Sequence, residues 1–126
     1  MRLRKQNGAG FTLLEIMIVV ALIGLLATIA TPTWVNARTR SQTNSCVNNL
    51  RQIEAAKQQW ALDTKQGANV VVTYDEISPY LKNAVSCPTA GTDTSFSGSY
   101  DPRDVGNPVV CKISPVTHVL PPEPSN

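Results

Sequence analysis

The chain is poor in the residues that carry catalysis. It has one histidine, His118, no glycine-rich loop that would cradle a phosphate, no histidine pair at metal-binding spacing and no carboxylate pair that can be located. A catalytic histidine needs a nucleophile and an orienting acid, and neither can be placed around Thr117-His118-Val119. His118 therefore reads as a structural or surface residue, and the chain as a non-enzyme with no cofactor and no metal. No internal repeat is apparent. Charge of one sign is scarce as well. Eleven basic residues face nine acidic ones, but Arg2, Arg4 and Lys5 crowd the first five positions, and without them eight basic side chains remain. That balance gives no basic stripe, so a nucleic-acid partner is not indicated.

Cysteine is limited to Cys46, Cys87 and Cys111, enough for one disulfide in three possible pairings with one thiol over. The spacing is not the close-paired spacing of a zinc site. Cys87 with Cys111 is the preferred disulfide, because both lie in the loop-rich C-terminal part where a staple would compensate for a small core. A pair using Cys46, or none, stays open; Cys46 lies on an apolar helical stripe and reads as a small buried hydrophobe. Asp101, Asp104 and Asn107 lie close together in a loop and offer oxygens to a calcium ion, but their spacing matches no EF-hand pattern.

Against these absences stands one long hydrophobic run. From Phe11 to Ala30 the side chains are almost all apolar, about the twenty residues a helix needs to cross ~30 Å of hydrocarbon. Within it sits a carboxylate, Glu15, for which bilayer depth costs on the order of 2.5–3.5 kcal/mol by insertion scales. Such a group needs a cation, or must snorkel to the headgroups. The basic residues before the run place the N-terminus in the cytoplasm and the rest outside. An ordinary signal peptide cut after Ala30 is the competing reading, but its apolar region would be shorter and its cleavage site would follow the run.

A short basic leader, Gly10, then Phe11-Thr12-Leu13-Leu14-Glu15 and an apolar run resemble the processing signature of type IV pilins and the pseudopilins of type II secretion. The resemblance covers Met1 to about Pro32. It implies cleavage after Gly10 by a membrane-embedded prepilin peptidase and N-methylation of Phe11. It also implies pairing of Glu15 with the Phe11 amine of a neighbouring subunit, in a filament driven by a cytoplasmic ATPase on a membrane assembly platform. The expected location is the bacterial inner membrane, then a periplasmic or cell-surface filament. By the same resemblance, Gly24 and Pro32 bracket a segment able to lose helical order; Pro32 by itself predicts a bend or loosening opposite Thr28. The alternative is a single-span membrane-anchored or periplasmic binding module that does not polymerise.

Beyond Pro32, residues 33–66 contain no proline or glycine, and Cys46, Leu50, Ile53 and Trp60 recur at helical spacing. The other face, with Arg51, Gln52, Glu54, Lys57, Gln58 and Asp63, reads as solvated. The joined helix spans about residues 12–66, roughly 80 Å at 1.5 Å per residue, and Gly67 is its expected stop. Short extended segments are expected at 70–74, 99–100, 109–113 and 116–120, and a short helix at 75–82. The expected fold is α+β: a long N-terminal helix, membrane-spanning in its first half and amphipathic in its second, carrying a small antiparallel sheet-and-loop head. The divisions are a leader (1–10), a membrane or filament-core helix (11–33), an amphipathic helix (34–66), a head (67–120) and a mobile tail (121–126).

Overall fold

The computed structural model describes residues 10–122. Most of the expected leader, and residues 123–126 of the expected tail, lie outside the described residues. The chain divides into two compact units at the Ala37–Arg38 junction. Helix α1, Leu13–Thr64, contributes to both.

In the first unit α1 carries apolar side chains on every face, and all are exposed. In this single chain α1 runs without interruption through Gly24 and Pro32. A single glycine weakens a helix by only about 1 kcal/mol relative to alanine. Around Pro32, whose ring removes one backbone donor, two hydroxyls bond back onto carbonyls of the preceding turn. Thr28 Oγ1 donates to the Leu25 carbonyl at 2.7 Å and Thr33 Oγ1 to the Ile29 carbonyl at 3.4 Å.

In the second unit the stripe of α1 buries as its spacing requires, with Cys46, Leu50 and Ile53 fully covered and Ala56, Trp60 and Ala61 nearly so. The helix ends at Thr64, short of Gly67. Lys65 takes the left-handed conformation at φ 55°, Gln66 N–H donates to the Ala61 carbonyl at 2.9 Å and Lys65 N–H to the Leu62 carbonyl at 3.4 Å. These are the two bonds of a Schellman stop, made with lysine where glycine is usual.

Among the described residues two regular strands form, β1 (Tyr100–Asp101) and β2 (Val110–Cys111), antiparallel with Tyr100 opposite Cys111. The expected segment at 70–74 supplies one isolated bridge, Val71 to Asp104, flanked by bonds from Val72 N–H to Arg103 and from Val105 N–H to Val70. The expected segment at 116–120 is not a strand; its backbone turns there. The expected helix at 75–82 is helix α2, Tyr74–Ile77, running into a 3-10 turn, Ser78–Tyr80. Helix α3, Phe96–Ser99, begins at Ser95, whose side chain accepts from Gly98 N–H. The rings of Tyr74, Phe96 and Tyr100 stack in sequence, with centroids 4.5 and 5.8 Å apart, completing an α+β architecture.

Lys57 departs from the expectation of a solvated face, being fully buried. The loop before β2 folds over it, and its ammonium donates to the carbonyls of Pro102 (3.3 Å) and Asn107 (2.5 Å) while pairing with Glu54 at 2.9 Å. The same Glu54 oxygen accepts from Val109 N–H at 3.1 Å. One buried ammonium thus ties helix to loop. Removing one partner of a buried pair costs roughly 3–5 kcal/mol, so Lys57→Ala should lower the thermal unfolding midpoint sharply. Lys57→Met, which refills the volume, should lower it less; circular dichroism melts of the two variants check this.

Candidate functional site

The N-terminal stretch is assembled from three features. Residues 10–12 precede α1 and are not helical. Gly10 is exposed, and a Cβ built on it would meet nothing within 4 Å, so the Gly10–Phe11 bond lies in open chain. Phe11 is 81% exposed.

Thr12 then starts the helix. Its Oγ1 accepts from Glu15 N–H at 3.2 Å, and its carbonyl accepts from Ile16 N–H at 3.3 Å. Threonine followed three residues later by glutamate is the spacing of a capping box, a signal legible in the sequence that the reading of Glu15 as a membrane charge passed over. Glu15 sits in the first turn and is exposed. The positive end of the helix dipole favours a carboxylate there by about 0.3–1 kcal/mol. That is well below the insertion penalty of about 2.5–3.5 kcal/mol, so capping alone does not neutralise the charge in lipid. Behind it the helix is long and apolar enough to cross a membrane.

The cysteines, His118 and the Asp101, Asp104 and Asn107 loop lie in the second unit. The expected Cys87–Cys111 disulfide is not formed: the sulfurs are 3.8 Å apart and both thiols are free, where a disulfide needs about 2.05 Å. The two sulfurs instead lie within 4.8 Å of the Cys46 sulfur and a His118 ring nitrogen. His118 is buried, and burial holds its imidazole below the ordinary value. Burial also pushes the Cys46 thiol up to about 12. At Cys87 burial acts in the same direction, but hydrogen bonds from the Thr89 side chain and backbone and from the neighbouring thiols outweigh it and lower the thiol.

Asp101, Asp104 and Asn107 do not converge as a ligand set. Asp101 Oδ1 accepts from Arg103 N–H at 3.0 Å, and both Asp104 oxygens accept from Asn107 Nδ2 at 2.9 Å. The hydrogen bond from Asn107 holds the Asp104 carboxyl below its usual range.

Residues 5–31 match the prokaryotic N-terminal methylation motif. The resemblance read from Gly10, Phe11 and Glu15 holds. The chain is 30% identical over 83 residues to type II secretion system core protein G of Klebsiella michiganensis, covering 61% of this chain and 58% of that protein. It is 43% identical over 68 residues to type IV major fimbrial protein FimA of Dichelobacter nodosus (54% and 44%), and 42% identical over 59 residues to type IV major pilin protein PilA of Myxococcus xanthus (45% and 27%). The chain thus spans about half the length of the first two of these relatives and less of the third. No solved structure matches it. By name these relatives are a type II secretion system core protein, a type IV major fimbrial protein and a type IV major pilin.

The cap can be tested apart from any filament. Thr12→Val keeps the side-chain shape but deletes the acceptor, a loss of about 1 kcal/mol. Amide exchange at Glu15 and Ile16 in detergent micelles should quicken about fivefold, with exchange in the second unit unchanged.

Proposed function

We propose that the protein is a structural filament subunit of the type IV pilus or type II secretion pseudopilus class. It is inserted in the bacterial inner membrane with its N-terminus in the cytoplasm, cut after Gly10 by a prepilin peptidase and methylated on Phe11. It then assembles with copies of itself into a periplasmic or cell-surface filament. The observation that carries this reading is the exposed, all-round apolar half of α1, led by an open Gly10–Phe11 bond and carrying one ionisable side chain, Glu15, in its first turn.

The chemistry is electrostatic. Cleavage uncovers an ammonium on Phe11, and an amine on one chain facing Glu15 on the next attracts strongly where the dielectric is low. Before cleavage no such cation exists at that depth, so processing creates the assembly contact. The apolar helices then exchange lipid for one another, the second unit forms the filament surface, and a membrane assembly platform with its cytoplasmic ATPase supplies the work. Gly24 and Pro32 bracket the stretch of α1 most readily loosened during that transfer.

Losing one partner of the Glu15 pair should cost roughly 3–5 kcal/mol per contact. Glu15→Val is expected to give processed, membrane-retained monomers and no filaments, and normal filament yield would refute the pairing. The N-terminal mass of the mature protein separates this reading from a non-polymerising anchored module: methylated Phe11 supports a filament subunit, and an intact Met1 or a start at Thr31 supports the module. Filament imaging beside a secretion assay in a deletion strain separates pilus from pseudopilus.

A further inference from the structure

The second unit contains a feature that the proposed filament assembly does not use. Cys46, Cys87, Cys111 and His118 are all buried, between 0 and 4% exposed, and their ligand atoms lie within 4.8 Å of one another. From these distances we infer that they form a structural zinc centre, with Zn²⁺ bound by the three sulfurs and His118 Nδ1.

The separations among the Cys87, Cys111 and His118 donor atoms match one face of a tetrahedron around such an ion, and the Cys46 sulfur lies within 4.8 Å of all three. With Zn–S near 2.3 Å and Zn–N near 2.0–2.1 Å, the edges of a regular site are about 3.8 Å between sulfurs and about 3.6 Å between sulfur and nitrogen. Cys87 Sγ and Cys111 Sγ are 3.8 Å apart, and His118 Nδ1 is 3.6 Å from the first and 3.7 Å from the second. The longest separation, 4.8 Å, exceeds the ideal edge by about 1 Å, a difference that side-chain torsions absorb. Three thiolates and one imidazole are a soft donor set, which selects zinc over magnesium or calcium.

The groups behind the ligands fit the same reading. His118 Nε2 faces Thr43 Oγ1 at 3.4 Å, so with the ring proton on Nε2 the Nδ1 lone pair is turned toward the sulfurs. Asn49 Nδ2 donates to Tyr100 OH at 3.0 Å, which leaves the phenol proton for Cys46 Sγ at 3.5 Å. Thr89 Oγ1 lies 3.1 Å from Cys87 Sγ. These hydroxyls offset the net negative charge of three thiolates around one divalent ion, whose binding releases the thiol protons to solvent.

A disulfide explains less. It would join two sulfurs and leave the third thiol and a buried imidazole at the same point with no task. Zinc uses all four, and it ties α1, the Cys87 loop, β2 and the C-terminal turn together in a head whose strands are two residues long.

The test uses the full chain extracted in detergent without chelator. Metal analysis should find about one zinc per chain, and cobalt exchanged into it should show the visible absorption of a tetrahedral thiolate site. Chelation should lower the unfolding midpoint, and added zinc should restore it. Thr43→Val, which removes an outer partner, should weaken zinc about 10-fold; His118→Ala should weaken it more, and His118→Cys should recover it by rebuilding a four-ligand set. The His118→Cys variant keeps the test open if the alanine variant does not fold. A Cys87–Cys111 disulfide in protein isolated from cells, a folded head without zinc, or zinc affinity unchanged in His118→Ala would each overturn the assignment.

Discussion

Between Leu13 and Ala30 the side chains of α1 are exposed on every face, and all but a few are apolar. At about 25 cal/mol per Å² of apolar surface, a helix of that length is strongly disfavoured in water, and it calls for lipid or for the same segment of neighbouring chains. Glu15 makes that choice conditional. Lipid disfavours its charge by about 2.5–3.5 kcal/mol while the helix dipole returns about 0.3–1 kcal/mol. The balance turns on whether a cation is nearby, and in the proposed mechanism proteolysis supplies one. On that proposal a single bond cleavage converts a membrane anchor into an assembly element.

The head obeys a different constraint. It is too small to hold its loops by sheet pairing, since its two strands contribute two residues each. What holds them is a set of polar groups projecting from the buried face of α1. Lys57 ends on the Pro102 and Asn107 carbonyls, Asn49 on the Ser86 carbonyl and Tyr100, and Cys46 on the sulfur–imidazole cluster. Small domains commonly add a staple of this kind where the apolar core is thin. The helix is therefore the frame of the head, and its inward polar side chains anchor the loops.

Some of this was legible in the residue order and some was not. The apolar run, the carboxylate within it and the glycine before it lie in the twenty-one consecutive positions 10–30, so local pattern is enough to read them. The buried stripe Cys46, Leu50, Ile53 and Trp60 followed from helical period. Lys57 was misread as solvated because period places a residue on a face but not under a loop, and the loop that covers it comes from 45 and 50 residues further along. The helix stop was misplaced for a local reason: Lys65 adopts a conformation in which glycine is usual.

The cysteines and His118 are the clearest division. Sequence alone determined a membrane-length helix with one acid near its start and an amphipathic continuation, because helix period and hydrocarbon thickness act on neighbours in the chain. Only the tertiary structure decided that Cys46, Cys87, Cys111 and His118 share one point. Cys111 lies 24 residues from Cys87 and 7 from His118, intervals with no repeat for a pattern to catch. Their meeting depends on how loops of irregular backbone fold against a helix, which is fixed by packing and hydrogen bonding across the chain rather than along it.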